Sequence, residues 1–81
     1  MRKTIYSQSS QILTECLRNS RKSAKLTIRQ LAEKMEVHHS IIGKIETGER
    51  RLDVIEFIEY CQVLDLNPHV VIDKIIVKSR H

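Results

Sequence analysis

Apolar side chains recur along this chain at three- and four-residue spacings, which is the pattern of helices with one buried face. Five segments show the pattern, and short polar stretches separate them. In the first segment Ile12, Leu13, Cys16 and Leu17 form one stripe, and this helix is predicted to end near Ala24. Only two glycines and one proline occur in the chain, which favours helices over a turn-rich β fold. The predicted fold class is therefore all-α.

The second and third segments are short and lie only a few residues apart. Thr27 is a candidate N-cap, and a glutamine three residues later completes a capping box. Ala32 offers a small side chain where the next helix crosses, while Ile42 and Ile45 supply apolar anchors. Two short helices with this spacing form the frame of a helix-turn-helix, which we predict over residues 27–48.

The fourth and fifth segments each begin with a helix-start signal. Asp53 is a candidate N-cap for the fourth. Its expected buried stripe consists of Val54, Ile55, Phe57, Ile58, Cys61 and Leu64. Asn67 and Pro68 predict a fifth helix over about residues 68–78. The β-branched residues of this segment also permit a strand, but a charged pair interrupts the apolar run at helical spacing and favours the helix.

Charge is unevenly distributed along the chain. Residues 1–51 hold eleven Lys/Arg and five Asp/Glu, whereas residues 52–81 hold three and five, for a net charge of +4 overall. A basic half indicates a polyanionic partner, of which DNA is the commonest. Charge alone leaves open the alternative of a basic surface that contacts only solvent.

Length and composition narrow the class of protein. The 81 residues suffice for one small domain, predicted over residues 8–81 behind a flexible tail at residues 1–7. No apolar run has the character of a signal peptide or a membrane span, so we expect a cytoplasmic protein. Cys16 and Cys61 lack a CxxC spacing and are expected to be buried free thiols.

No catalytic arrangement is visible in the sequence. A Ser-His-Asp set, a carboxylate pair or a glycine-rich phosphate loop would each need a spacing that the chain does not offer, so we expect no enzyme. We also expect no cofactor and no metal. The outer face of the third segment is instead polar, small or able to hydrogen-bond, which suits contacts with base edges. It carries His39, Ser40, Gly43 and Lys44.

The stretch LTIRQLAEKMEVHHSIIGKIETGERRLDVIEFIEYCQVLDLNP resembles the Cro and phage-repressor family of xenobiotic-response-element (XRE) type regulators. The resemblance extends over about residues 18–68 and implies a five-helix, lambda-repressor-like DNA-binding domain. The positions that match the family pattern are Leu26, Thr27, Leu31, Ala32, Val37, Ser40, Ile42, Ile45, Glu46 and Gly48.

The resemblance implies sequence-specific binding of double-stranded DNA and regulation of transcription, as a repressor that acts as a dimer on a palindromic operator. The residues that would read bases are His39, Ser40, Gly43 and Lys44, with Lys44 suited to guanine and Gly43 allowing close approach. The residues that would bind phosphates are Thr27, Arg29, His38, Thr47, Arg50 and Arg51.

The resemblance also implies a structural ion pair. The family often joins an Arg late in the first helix to the Glu that ends the recognition helix, and Arg21 and Glu46 stand at those positions. If both are buried, each neutralises the other, and removing one would leave a charge without compensation.

Two positions depart from the family pattern, and both lie in or next to the turn. Glu36 stands where the family usually has glycine, so the turn is expected to be strained or differently shaped. His38 and His39 replace the commoner Ser/Thr and Arg/Gln. We expect His38 to be a weak cap or to touch phosphate, and His39 to point into the groove. Adjacent residues on a helix do not face the same way, which argues against a metal site, and two solvated histidines are the alternative.

The C-terminal segment carries more apolar side chains than one small core needs. Val70, Val71, Ile75 and Ile76 are predicted to form a symmetric dimer interface, and the alternative is that the segment only closes the monomer core. Two further functions stay open at this point. One is the antitoxin of a toxin–antitoxin pair, which binds its own operator and a toxin protein. The other is a helix-turn-helix used only for protein contact.

Overall fold

The computed structural model describes residues 8–78, all of them in helices or the turns between helices. The prediction of five helices in an all-α fold is confirmed, and the strand alternative for the fifth segment is wrong. The tail predicted at residues 1–7 lies outside the described residues. The helices are α1 (Gln8–Ser23), α2 (Ile28–Met35), α3 (His39–Glu46), α4 (Val54–Val63) and α5 (Pro68–Lys78).

Two helices begin with the reciprocal hydrogen bonds of a capping box. At the start of α2 the Thr27 hydroxyl accepts the Gln30 backbone N–H at 3.0 Å, and the Gln30 side chain accepts the Thr27 N–H at 2.8 Å. Asp53 and Glu56 repeat the arrangement at the start of α4, at 2.7 and 3.1 Å. Each box satisfies two backbone donors that a helix start otherwise leaves without a partner, so these helices begin where the sequence indicates.

Three helices end in the same way, and none of the three uses glycine. Lys25, Glu36 and Asp65 follow α1, α2 and α4 with φ angles of 60°, 58° and 55°. The next residue in each case donates its N–H to a carbonyl five positions earlier, for example Val37 to Ala32 at 3.0 Å. This backbone closure with a left-handed residue is the Schellman motif. Three non-glycine residues therefore carry the strain of a left-handed backbone.

The core lies where α1, α3, α4 and α5 converge, with α2 packed on α3 and α4. Its largest fully buried side chains are Leu17, Leu31, Ile42, Tyr60 and Cys61. Cys16 is partly buried beside this core, and both cysteines are free thiols. Burial raises the pKa of the Cys61 thiol, which keeps that thiol protonated and unreactive. Between residues 8 and 78, no helix is long and apolar enough to cross a membrane.

The stripe predicted for α4 is partly wrong. Val54 and Ile55 are 73% and 69% exposed, whereas Phe57, Tyr60 and Cys61 are buried. The buried positions follow a three- and four-residue spacing that continues to Leu64 at the end of the helix, while the first turn of α4 extends beyond the core. Tyr60, which was not among the residues predicted for this stripe, takes its central place and is fully buried.

Candidate nucleic-acid interface

The turn between α2 and α3 fixes the position of the third helix. Glu36 has φ 58° and ψ 41°, and its backbone N–H donates to the Glu33 carbonyl at 3.1 Å. These angles are those of the left-handed conformation that glycine would adopt at the same place. The turn at Glu36 therefore has the shape of a glycine turn. Of the two expected alternatives, a strained turn or a differently shaped one, the structure shows the strained turn.

His38 caps the third helix through a ring nitrogen. Its Nδ1 accepts the backbone N–H of Ser40 at 3.1 Å and lies 2.8 Å from the Ser40 hydroxyl oxygen. An imidazole nitrogen accepts a backbone N–H only when it carries no proton, so this cap requires the neutral ring with the proton on Nε2. The expected role of His38 as a cap is thus visible in its contacts.

The outward side of α3 holds the four residues proposed from the sequence to read bases. Ser40 and Lys44 are exposed, and His39 and Gly43 are partly exposed. A methyl group built on Gly43 meets no atom within 4 Å outside its own stretch of helix. The fold of this chain alone therefore gives no reason for a glycine at that position.

His39 stacks on His38 with 4.3 Å between the ring centroids. Partial desolvation lowers the pKa of His39, and the positive charge of Arg29 lowers it further. The ring of His39 is therefore neutral at pH 7 in the free protein. No group of three or more His, Cys, Asp or Glu within the described part of the chain is arranged to hold a metal ion.

A buried ion pair joins α1 to the end of α3. Arg21 Nε donates to Glu46 Oε2 at 2.7 Å, and Arg21 Nη2 donates to Glu46 Oε1 at 3.0 Å. Arg21 is 9% exposed and Glu46 is 5% exposed. Arg21 Nη1 also donates to the Leu26 carbonyl at 2.8 Å, and Arg18 donates to the Glu46 carbonyl at 3.2 Å. The hydrogen bonds to Glu46 raise the pKa of Arg21. The three bonds to Glu46 fix α3 against α1, and the bond to Leu26 ties Arg21 to the loop after α1, so the contacts match a structural role.

The residues proposed to bind phosphates differ in their availability. The side chains of Arg29 and Arg51 are exposed and make no polar contact within residues 8–78. The Thr27 hydroxyl is engaged in the α2 capping box. Two further candidates contact acids: the Thr47 hydroxyl donates to Glu49 at 2.8 Å, and Arg50 forms a bidentate pair with Glu56.

The sequence did not predict the contact of Glu49 with Thr47, that of Glu56 with Arg50, or that of Arg18 with the Glu46 carbonyl. The Asp53–Glu56 capping box was visible in the sequence as a three-residue spacing. The Arg50–Glu56 pair was not, because it spans a loop whose path no spacing rule gives.

The four residues predicted for the dimer interface do not share one surface. Val71 is 2% exposed and belongs to the core of the single chain, which corrects its assignment to an interface. It is buried because α5 packs along α1 and closes the core there. Ile75 is partly buried against the same core, while Val70 and Ile76 are 49% and 48% exposed. For Val71, therefore, the alternative that the segment closes the monomer core is confirmed.

A different apolar surface is formed by α5 together with the start of α4. Val54 and Ile72 are exposed and lie at this surface, and Ile55, Ile76 and Val77 are further exposed apolar side chains of the same two helices. Between the two helices runs a groove of about 270 Å³, lined by Leu13, Leu52, Asp53, Val54, Phe57, Ile58, Ile72 and Ile75. Apolar residues at this density and exposure are typical of a surface that contacts another protein.

Comparison with known proteins identifies relatives of this arrangement. A family model described as helix-turn-helix matches residues 17–71. An XRE-family like protein from Pseudomonas syringae pv. tomato str. DC3000 is 32% identical with a TM-score of 0.81, over 88% of this chain and 87% of that one. Comparison with curated protein sequences gives no match.

Two restriction-modification controller proteins share the fold at lower identity. C.AhdI from Aeromonas hydrophila is 22% identical with a TM-score of 0.71, over 76% of this chain and 94% of its own. C.Esp1396I, solved as a tetramer in complex with its natural 35 base-pair operator, is 19% identical with a TM-score of 0.77, over 93% and 99%. At these identities the likeness shows the fold alone.

Proposed function

Because the chain belongs to the XRE family of helix-turn-helix proteins, we propose that it regulates transcription by placing the outward side of α3 in the major groove of double-stranded DNA. The observation that carries the proposal is the construction of that helix. Its inner side is anchored by Ile42 and Ile45 and by the buried Arg21–Glu46 pair, while its outer side bears polar residues with few internal contacts. A rigidly mounted polar face is what direct readout of bases requires.

Base reading is assigned to His39, Ser40, Gly43 and Lys44. The Lys44 ammonium is a donor for O6 and N7 of guanine, and the His39 ring donates or accepts according to its protonation. The space beside Gly43 allows a base edge or sugar to approach the helix backbone closely. Together these residues supply the direct contacts through which one sequence is preferred over another.

Phosphate contacts are assigned to residues on either side of α3 and at the start of α2. Arg29 and Arg51 are the exposed cations of this set, and both are available in the free protein. The remaining members are Thr27, His38, Thr47 and Arg50. Contacts of this kind set the register of the protein on the duplex and supply most of the affinity that does not depend on sequence.

A dimeric repressor on a palindromic operator is the more specific form of the proposal. One module of this size buries too little surface for tight selective binding, and two copies double the contacts. The exposed apolar residues Ile72, Ile76 and Val77 on α5, with Val54 and Ile55 on α4, support self-association. The relative C.Esp1396I is a tetramer on its operator. Sedimentation that shows only monomer at high micromolar concentration would reject this form.

The same apolar surface supports a second function, that of an antitoxin which also binds a toxin protein. The two functions differ in what contacts the groove between α4 and α5. A chain that stays monomeric alone but forms a stable complex with the product of an adjacent gene, and still binds its own operator, is an antitoxin. A dimer that binds the operator without such a partner is a repressor.

The central experiment is selection of bound duplexes from random DNA, followed by affinity measurements on the selected site. Lys44→Ala is expected to relax the preference at one base position by roughly 1–3 kcal/mol. Arg51→Ala is expected to weaken binding to all sequences alike and to reduce the salt dependence. If both variants lose the same affinity on every sequence, the division into base-reading and phosphate-binding residues is wrong. If bulk DNA gives no salt-dependent gel shift, the domain contacts only protein.

A further inference from the structure

Two acidic side chains occupy donors that the DNA backbone is proposed to use. The Thr47 hydroxyl at the end of α3 lies 2.8 Å from Glu49 Oε2 and 3.2 Å from the Lys44 carbonyl oxygen, and its one hydrogen is donated to the nearer carboxylate. Arg50 donates from Nη1 to Glu56 Oε1 at 3.2 Å and from Nη2 to Glu56 Oε2 at 2.7 Å. Thr47 and Arg50 both belong to the proposed phosphate-binding set. In the free protein each of them therefore already has an anionic partner.

The backbone on both sides of the Arg50–Glu56 pair is fixed. Glu56 Oε1 also accepts the Asp53 backbone N–H at 3.1 Å, which holds the carboxylate at the start of α4. The backbone N–H groups of Glu49 and Arg50 both donate to the Lys44 carbonyl, at 2.9 and 3.2 Å, which ties the loop to the last turn of α3. The Arg50–Glu56 pair thus connects the end of α3 to the start of α4, and backbone hydrogen bonds hold both of its residues in place.

Carboxylate and phosphodiester groups offer the same chemistry to a guanidinium group. Both present two anionic oxygens that accept parallel N–H bonds, so a DNA phosphate competes directly with Glu56 for Arg50. The pair is accessible to such a competitor, since the side chains of Arg50 and Glu56 are 37% and 28% exposed. The hydrogen bonds from Arg50 lower the pKa of Glu56, which therefore stays ionised throughout the neutral range.

We propose that Glu56, assisted by Glu49, sets the affinity of this protein for DNA by holding Arg50 and Thr47 until a phosphate displaces the carboxylates. The inference rests on the proposed function and deepens it. When Arg50 moves from Glu56 to a phosphate, one charge is neutralised and another is exposed. Such an exchange therefore gains less affinity than a phosphate contact made by a cation without an ion-pair partner. Because the exchange is the same on every sequence, it lowers affinity for operator and bulk DNA by similar factors.

The test measures duplex binding by wild type and Glu56→Gln over a range of salt concentrations. Glutamine keeps an oxygen for the Asp53 N–H and removes the charge. One additional net phosphate contact steepens the slope of log affinity against log salt by about 0.9. If wild type and variant bind equally at about 1 M salt, that difference in slope makes the variant bind at most about eightfold more tightly at about 0.1 M salt. The expected result is therefore tighter binding of operator and bulk DNA, with a steeper salt dependence.

Two control variants separate this effect from a general change of charge. Glu59→Gln removes the same charge from an exposed residue of α4 that has no polar contact within the described part of the chain, so its effect is expected to be clearly smaller. Arg50→Gln is expected to abolish the gain from Glu56→Gln when the two are combined. Glu49→Gln tests the Thr47 contact separately. Because Glu49 lies outside the helices, this variant can be used if Glu56→Gln does not fold.

The outcomes distinguish this inference from the function on which it rests. A wild-type protein that binds no duplex even at about 50 mM salt rejects the proposed function and the inference with it. If wild type binds but Glu56→Gln binds equally or more weakly, the inference alone is wrong, and Glu56 positions Arg50 rather than competing with DNA. The inference is equally wrong if Glu59→Gln tightens binding as much, or if the gain survives the loss of Arg50.

Discussion

Replacing Glu36 by glycine is expected to make the folded protein more stable. Glu36 holds φ 58° and ψ 41° in the turn between α2 and α3, and its exposed side chain makes no polar contact within residues 8–78. A side chain with a Cβ costs about 1–2 kcal/mol in this conformation, because the Cβ crowds a backbone carbonyl oxygen. Glycine removes that cost without removing any hydrogen bond of the turn.

The gain is reduced by the greater freedom of glycine in the unfolded chain. That entropy amounts to about 0.5–1 kcal/mol. The midpoints of the two ranges give a net increase in the free energy of unfolding of about 0.75 kcal/mol. For a domain of this size, such a change raises the melting temperature by roughly 3–6 °C. Urea unfolding followed by circular dichroism measures the free energy of unfolding, and thermal unfolding followed in the same way measures the melting temperature.

Glu36→Ala is the matched control. Alanine loses the carboxylate and keeps the Cβ, so the strain remains and the free energy of unfolding is expected to change little. If Glu36→Gly is no more stable than Glu36→Ala, the left-handed backbone at this turn carries no strain and the reasoning fails. The observed angles are already those of glycine, so the selected DNA site is expected to be the same for both variants.

Four further predictions concern buried and titrating groups. Glu46→Gln leaves the buried Arg21 charge without compensation and is expected to cost about 3–5 kcal/mol in urea unfolding, whereas Arg21→Met combined with Glu46→Leu should cost less than the single change. The Tyr60 hydroxyl is buried without a hydrogen-bond partner among residues 8–78, so Tyr60→Phe is expected to leave stability unchanged or higher, and a marked loss would reveal a contact. Burial raises the pKa of the Tyr60 phenol, so the folded state holds this proton more tightly than the unfolded state does. The free energy of unfolding should therefore fall above about pH 10 in the wild type, and fall less in Tyr60→Phe. The pKa of His39 is lowered, so any DNA affinity gained from its protonation should appear only below about pH 6.5. This gain should be absent in His39→Gln. A wild-type affinity that stays constant between about pH 5.5 and 8 rejects a cationic role for His39.

Much of the fold was predictable because its signals are local. The capping box at Thr27 and the start signal at Asn67 lie within a few residues of the helices they begin, and the structure places those starts accordingly. The helix-turn-helix frame followed from Ala32 and the isoleucine anchors of α3, which are buried. Spacing rules suffice where one helix face and its cap carry the information.

The remainder depended on how the helices meet. Val54 fits the apolar stripe of α4 by spacing, yet the first turn of that helix lies beyond the core and leaves it exposed. Val71 was assigned to a partner surface, but α5 packs on α1 and buries it within the chain. The pair between Arg50 and Glu56 joins residues six positions apart across the loop that leads into α4. Each of these depends on relative helix position, which periodicity does not specify.

Gly43 has a consequence for how such a protein changes its target. Alanine in place of a mid-helix glycine normally favours the helix by about 1 kcal/mol, and at Gly43 the added methyl group has room. Selection for a stable fold would therefore drive this position away from glycine, and only the bound duplex would hold it there. Under the proposed function, position 43 is thus a site where mutation would change the preferred operator without endangering the scaffold. We therefore expect single substitutions there to give relatives new regulatory targets.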